Sequence, residues 1–330
     1  MTSSEGDHAT YDNTLQLTNV DDSRRGTSIV SPNQPTMYYA WTGQTSNDMW
    51  VHLRLVKPNG SGHFNNTGLN TFVEIRSSLG TLAGLRQLTR NANVVMGTRT
   101  ASAPTTGVFS GPTAYYYKPL EPFDVDFHFL ISTTTNTDDT LALDYYINQQ
   151  VRESYVLTNA GGWSPPDRLH LRPNDFKSAA MGFQDIIITN GIPTVGMQLV
   201  TMPPTSDGTY TDFTGTFADV DDLGYDPDDA HTTNTLAARQ SWQHTAPSLT
   251  LSDRIIVGFS VNIVGRTDTA TIVGDLQPFV RLGGVDYAGT NGTTTVTTKS
   301  FANVWTQNPA TTAPWVESDF TSIQTGVLTV

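Results

Sequence analysis

The run Phe123-Asp124-Val125-Asp126-Phe127-His128-Phe129 alternates apolar and polar residues without a break. Side chains two apart share a face only in an extended strand, so this run predicts a half-buried β-strand. The same period returns along the chain. Residues 49–56, 71–76, 141–148, 151–157, 168–172 and 183–189 all alternate, and turn clusters such as Pro58-Asn59-Gly60-Ser61-Gly62 separate them. Residues 85–90 and 93–97 fit either a strand or a short helix. Residues 141–148 and 151–157 read as a hairpin turning at Gln149-Gln150. No segment of ten or more residues carries a 3.6-residue apolar period, which argues against an amphipathic helix of ordinary length.

A second group of strands follows, over residues 254–264, 276–282 and 293–301, with a short helix or turn expected after Trp315. Between the groups, Asn190-Gly191-Ile192-Pro193 and Met202-Pro203-Pro204-Thr205-Ser206-Asp207-Gly208 bracket one further strand, Met197-Gln198-Leu199-Val200-Thr201. The domain boundary is expected within residues 190–207. A chain of 330 residues exceeds one ordinary sandwich and suits two. The expected organisation is a polar arm over residues 1–10, a β-sandwich over 11–195 and a second over 196–330.

Charge narrows the partners. The net charge is −13, and lysine occurs only at Lys57, Lys118, Lys177 and Lys299. Such a surface repels phosphate backbones, so nucleic acid is not an expected partner. With no cysteine, disulfides and thiolate metal sites are excluded. No apolar run reaches the length of a membrane span, and Met1-Thr2-Ser3-Ser4-Glu5-Gly6-Asp7 opens no apolar signal segment. The sequence thus combines the composition of an extracellular β protein with no expected export signal, a pairing that suits virion proteins released by lysis.

The succession of residues 123–131, 141–157, 168–172 and 183–189 resembles the closing half of concanavalin A-like and laminin-G-like sandwiches, which implies a lectin-type fold for the first domain. The tip departs from the usual Asn-Gly, reading Asn148-Gln149-Gln150. From Phe183 to the C-terminus the chain resembles a family of tailed-phage virion proteins that place a lectin-like domain before a β domain. The matching segments are Phe183-Gln184-Asp185-Ile186-Ile187-Ile188-Thr189-Asn190-Gly191 and Phe213-Thr214-Gly215-Thr216-Phe217-Ala218-Asp219-Val220-Asp221-Asp222. Gly283-Gly284-Val285-Asp286-Tyr287, Asn303-Val304-Trp305-Thr306-Gln307-Asn308-Pro309-Ala310-Thr311 and Trp315 complete the match. With it, the expected fold is all-β, two jelly-roll or concanavalin A-like sandwiches in tandem.

Candidate sites are few. Carbohydrate binding needs an exposed aromatic platform, and Tyr38, Tyr39 and Trp41 or Tyr115, Tyr116 and Tyr117 supply candidates. Consecutive rings in a strand point to opposite faces, so one ring in each group is expected to leave the core. It would meet a sugar, a neighbouring subunit or the domain's own edge. The acidic run containing Asp219, Asp221, Asp222, Asp226, Asp228 and Asp229 offers oxygen ligands for Ca²⁺, the one cofactor considered. Its spacing lacks the terminal Glu of an EF-hand, and a solvated loop with capping aspartates is the plainer reading. His52, His128 and His170 fall inside strands and read as hydrogen-bonded sheet residues rather than ligands or bases. Asn59-Gly60-Ser61, Asn65-Asn66-Thr67 and Asn291-Gly292-Thr293 match the glycosylation pattern and read as plain turns.

No nucleophile elbow, zinc helix or phosphate loop is present. Glycoside hydrolysis would need two carboxylates flanking a cleft. Asp124 and Asp126 are the nearest pair, and they read as the polar phase of a half-exposed strand. The leading expectation is a non-enzymatic structural component of a tailed-virus particle, on head surface, tail or fibre. Its partners would be other virion proteins and copies of itself. A receptor-recognition lectin that binds host glycan is the alternative, and a polysaccharide hydrolase the second.

Overall fold

The computed structural model describes residues 37–41, 46–56, 71–87, 93–98, 115–116, 122–132, 139–159, 162–171, 182–221, 230–246, 255–268 and 274–330. The expected arm over residues 1–10 and the turn at 58–62 lie outside them. Among the described residues the chain is all-β, with two short 3-10 turns, Phe217–Asp219 and Glu317–Thr321, and no α-helix. No described helix is long and apolar enough to cross a membrane. The described residues divide into two compact units between Leu199 and Val200.

The first unit contains β1 (Met37–Ala40), β2 (Asp48–Val56), β3 (Thr71–Ser77), β4 (Gly80–Gln87), β5 (Asn93–Thr98) and β6 (Tyr115–Tyr116). It continues with β7 (Phe123–Ser132), β8 (Asp139–Ile147), β9 (Gln150–Asn159), β10 (Arg168–Leu171) and β11 (Gly182–Asn190). These strands form a six-stranded antiparallel sheet, β1-β10-β3-β4-β5-β6, and a five-stranded one, β11-β2-β7-β8-β9. Residues 85–87 and 93–97 are therefore strand, which settles the choice left open between strand and short helix.

The apolar phase of each strand faces the space between the sheets. Register aligns Met49, Phe129 and Leu143 in one row and Val51, Phe127 and Tyr145 in the next. Ile75, Leu82, Leu85, Leu169 and Leu171 join the same cluster from the six-stranded sheet. Phe127 meets the Tyr145 ring edge-on at 5.1 Å. Each such side chain, taken fully out of water, stabilises the fold by about 1.5–3 kcal/mol. This is the packing of a β-sandwich.

Two expectations need correction here. The β8–β9 hairpin turns at Asn148-Gln149 rather than Gln149-Gln150, because Ile147 already pairs with Gln150. Both turn residues adopt positive φ, 48° and 68°, the mirror-image turn whose twist matches the flanking strands. Residues 197–201 are not a strand. After β11, residues 191–199 leave the sheet edge, and Gly196 comes to lie beside the Gln149 side chain at the far hairpin tip. The apolar-polar rhythm there belongs to a strap whose Ile192 and Leu199 are 41% and 47% exposed.

The second unit contains β12 (Pro204–Thr211), β13 (Arg239–His244), β14 (Phe259–Gly265), β15 (Asp275–Leu282) and β16 (Val285–Ala288). β17 (Gly292–Thr293), β18 (Lys299–Trp305) and β19 (Gln324–Thr329) complete it. The main sheet runs β12-β13-β19-β15-β16 with β17 beside β15, and β14 pairs with β18. Val280, Leu282, Trp315, Phe320 and Ile323 form its core, with Phe259 and Trp305 packed on them. The 3-10 turn after Trp315 is where a short helix or turn was expected.

On the other face of the main sheet, β12 bulges between Asp207 and Thr211 and lays Tyr210 against Phe279. Arg239 and Arg281 each place a guanidinium 5.1 Å from the Tyr210 ring centre. Tyr210 donates to Asp286 at 2.9 Å, and both arginines donate to the Tyr210 oxygen. This clasp satisfies itself internally.

Candidate functional site

The outward face of the five-stranded sheet collects the polar phase of three neighbouring strands. β2 contributes Asp48, Trp50, His52 and Arg54, β7 contributes Asp124, Asp126, His128 and Leu130, and β8 contributes Ala142, Asp144 and Tyr146. Register orders them in rows. Asp48, Leu130, Ala142 and Val156 form one, and Trp50, His128, Asp144 and Ser154 the next. His52, Asp126, Tyr146 and Val151 form a third, and Arg54 stands opposite Asp124 in the last.

The strap divides this face into a covered and an open part. Asp126 is fully buried, and its Oδ1 accepts hydrogen bonds from His52 Nδ1 at 2.7 Å and Thr194 Oγ1 at 2.8 Å. In the tautomer that carries its hydrogen on Nδ1, His52 is the donor of that bond. Asp126 Oδ2 is buried with no hydrogen-bond partner among the described residues. One row away, Arg54 Nε lies 4.0 Å from Asp124 Oδ1. Burial holds the Asp124 carboxyl above the usual carboxylate range. His52 and Arg54 oppose that rise, while Asp126 and Asp185 add to it. Asp185 itself sits at φ 52°, where the register of β11 shifts against β2.

The open part centres on His128. Its ring stacks on Trp50 with centres 4.0 Å apart and planes within 10°. Nε2 lies 3.1 Å from Asp48 Oδ1 and Nδ1 3.5 Å from Asp144 Oδ2, so a ring protonated at both nitrogens donates to both carboxylates. The Tyr146 ring lies 5.5 Å from that of Trp50, tilted by 41°. Burial raises the Tyr146 phenol, and Asp144 and then Asp126 raise it further. Beside these groups runs an apolar shelf: Leu130 is 43% and Val156 74% exposed, with Ala142 between them in register. Hydroxyl donors meet acceptor oxygens here, next to a strip that suits the C–H face of a ring.

The aromatic groups singled out from sequence are not brought together. Tyr38 and Tyr39 lie in β1 and Tyr115 and Tyr116 in β6, the two opposite edges of the six-stranded sheet, and Tyr117 lies outside the described residues. Five strand spacings of about 4.8 Å separate those edges. Trp41 is a correction: it packs in the inter-sheet core at 8% exposure, its backbone N–H bonded to the Asp167 carbonyl, so it is not an exposed platform. In the acidic run, the Asp219 carboxylate accepts the Thr216 N–H at 2.7 Å and closes a 3-10 turn. Asp221 is half-buried, and Asp222, Asp226, Asp228 and Asp229 lie outside the described residues. Among the described residues no three His, Asp or Glu side chains are disposed to hold a metal ion.

Asp48, Asp144, Tyr146 and Val156 were not singled out from sequence. The signal available was the polar phase of residues 48–54, 124–130 and 142–146, which alternation places on one face of each strand. Which strands would be neighbours was not encoded locally.

No family model matches this chain, and comparison with curated proteins gives no match. Among solved structures, the receptor-binding domain of botulinum neurotoxin D aligns at 8% identity and a TM-score of 0.35, over 53% of this chain and 42% of that one. A galectin of Caenorhabditis elegans aligns at 9% identity and 0.30, over 49% of this chain and 95% of its own. The alginate lyase from a Corynebacterium species aligns at 10% identity and 0.29, over 50% and 66%. The chain thus spans less than half of the toxin chain it matches. At such identities the likeness concerns the β-sandwich fold alone.

Proposed function

We propose that the first sandwich is a saccharide-recognition module, that the open rows of its five-stranded sheet are the binding surface, and that the chain is a non-enzymatic component of a tailed-virus particle. One observation carries the binding reading: a shelf of exposed Leu130 and Val156, with half-buried Ala142 between them, runs alongside Asp48, His128, Asp144 and Tyr146. Carboxylates held in fixed geometry accept sugar hydroxyls, and an apolar strip receives the less polar ring face.

The non-enzymatic reading has its own support. Hydrolysis requires two carboxylates open to one cleft. Of Asp124 and Asp126, the second is sealed beneath Thr194 and committed to His52. The virion assignment rests on the sequence resemblance of residues 183–330 and on the charge and composition of the chain.

The test is a glycan array probed with the full chain, beside Asp48→Asn and Val156→Asp variants. Retention of a defined glycan set by the wild type, reduced about tenfold or more in each variant, is the expected result. An array on which the wild type retains nothing, or on which both variants behave as wild type, overturns the reading. Release of shorter sugars from a bound polysaccharide, abolished in Asp124→Asn, would replace binding by hydrolysis.

A further inference from the structure

The charges on this face are unequal, and they bear on which sugars it admits. Asp48, Asp124, Asp126 and Asp144 point to the same side of three adjacent strands. The cations among them are Arg54, already set against Asp124, and the imidazoles of His52 and His128. Even with both imidazoles charged, the four carboxylates outnumber them.

A second observation concerns one of those four carboxylates. Asp126 Oδ2 is sealed from solvent and accepts no hydrogen bond among the described residues. Ionised, a carboxylate in such a place is screened only weakly by solvent and salt. Two neighbouring groups are shifted, in each case first by burial. The Tyr146 phenol, raised first by burial, is raised further by Asp144 and Asp126. The Asp124 carboxyl, also raised first by burial, is pushed further up by Asp126 and Asp185 against the pull of His52 and Arg54. On these three strands carboxylates outnumber cations, so added negative charge is disfavoured and positive charge is welcome.

Building on the saccharide-binding reading above, we propose that this surface selects amino sugars carrying a free ammonium group, seated near Asp48 and Asp144 against the Leu130–Ala142–Val156 shelf, and rejects uronates. An ammonium contributes three donors and no acceptor, matching a rim of carboxylate oxygens. A uronate brings a further carboxylate to the same rim, and the guanidinium that β2 contributes, Arg54, already lies 4.0 Å from Asp124. A divalent cation is a poorer fit, because no three carboxylate or imidazole groups among the described residues converge on one point.

The experiment is calorimetric titration of the full chain with three disaccharides of one size: glucosamine, N-acetylglucosamine and uronate. Short ligands limit attraction to the overall −13 charge. The glucosamine disaccharide is expected to bind about tenfold more tightly than its N-acetylated form, with the preference shrinking as salt rises. The uronate should show no measurable heat. Asp144→Asn and Asp48→Asn should each weaken the glucosamine disaccharide more than its N-acetylated form, and so reduce the preference severalfold. Asp268→Asn, at a position 83% exposed in the second unit, should change nothing. Equal binding of the two forms overturns the selectivity and leaves the saccharide reading standing. Absence of binding by all three disaccharides, together with an empty array, overturns both. Equal losses in Asp268→Asn and Asp144→Asn would mean diffuse attraction to an acidic protein, and would also overturn the selectivity.

Discussion

Removing the Asp126 carboxylate should cost the first unit more than most single substitutions, because two donors depend on it. His52 Nδ1 at 2.7 Å and Thr194 Oγ1 at 2.8 Å both donate to Oδ1, and all three residues are buried. In Asp126→Ala each donor is stranded away from water, at about 1–3 kcal/mol apiece. The sum agrees with the roughly 3–5 kcal/mol lost when one member of a buried pair is deleted. For a unit of this size, that lowers the melting temperature by roughly 6–20 °C at about 2–4 °C per kcal/mol. Asp126→Asn keeps the accepting oxygen but sets an amide donor where Oδ2 has no partner, so it should lose about 1–3 kcal/mol. Urea denaturation of both variants, of His52→Ala and of the His52→Ala/Asp126→Ala double variant gives the coupling directly, expected at about 1–3 kcal/mol. If Asp126→Ala stays within about 1 kcal/mol of wild type, or the His52 and Asp126 losses simply add, then the carboxylate does not hold its buried donors as described, and the account of the covered rows is wrong.

Two further outcomes follow from the geometry. Burial raises the folded-state value of Asp124 above 3.8, so the ionised form disfavours the fold. The stabilising contribution of that group is complete below the unfolded value and lost as pH rises through the folded one. Asp124→Asn should therefore gain stability relative to wild type between pH 3 and pH 7, by about 0.5 kcal/mol or less for a half-exposed group, as read from paired thermal melts. In the second unit, a Cβ at Gly326 would stand 2.2 Å from Phe279 Cζ and 2.4 Å from the Gln240 carbonyl oxygen. Backbone of a neighbouring strand cannot withdraw, so Gly326→Ala should lose about 1–3 kcal/mol or more in the second unit's unfolding transition.

Much of the fold was legible because a strand's side chains alternate strictly. The phases of residues 49–56, 123–131 and 141–147 follow from that rule, and so does the inward set Met49, Val51, Phe127, Phe129, Leu141 and Leu143. What alternation leaves open is adjacency: nothing local to residue 48 says that His128 will lie 3.1 Å from it. The polar face was therefore assembled by topology, with β2 entering between β7 and β11. Three misreadings have specific causes. Residues 197–201 carry a strand-like rhythm, but positive φ at Gly191 and Gly196 turns the chain across the face instead of along an edge. Trp41 followed three residues of β1 that suggested a surface platform, yet one position past the strand it turns into the core, tied to Asp167. The turn at Asn148-Gln149 was displaced by one residue because Gln rarely occupies a left-handed position and its sequence gives no warning of it.

The late position of β11 in the chain has a kinetic consequence. Met49 in β2 pairs with Asn190, so the central sheet cannot close until nearly the whole first unit has been synthesised. At about 5–20 residues per second, the outer edge of β2 stays unsatisfied for roughly ten seconds on the ribosome. During that interval His52 and Asp126 remain hydrated, and a strand carrying Met49, Val51, Leu53 and Leu55 offers a free ladder to any passing chain. A fragment ending before residue 182 should accordingly behave as an aggregating open sheet rather than as a smaller stable sandwich.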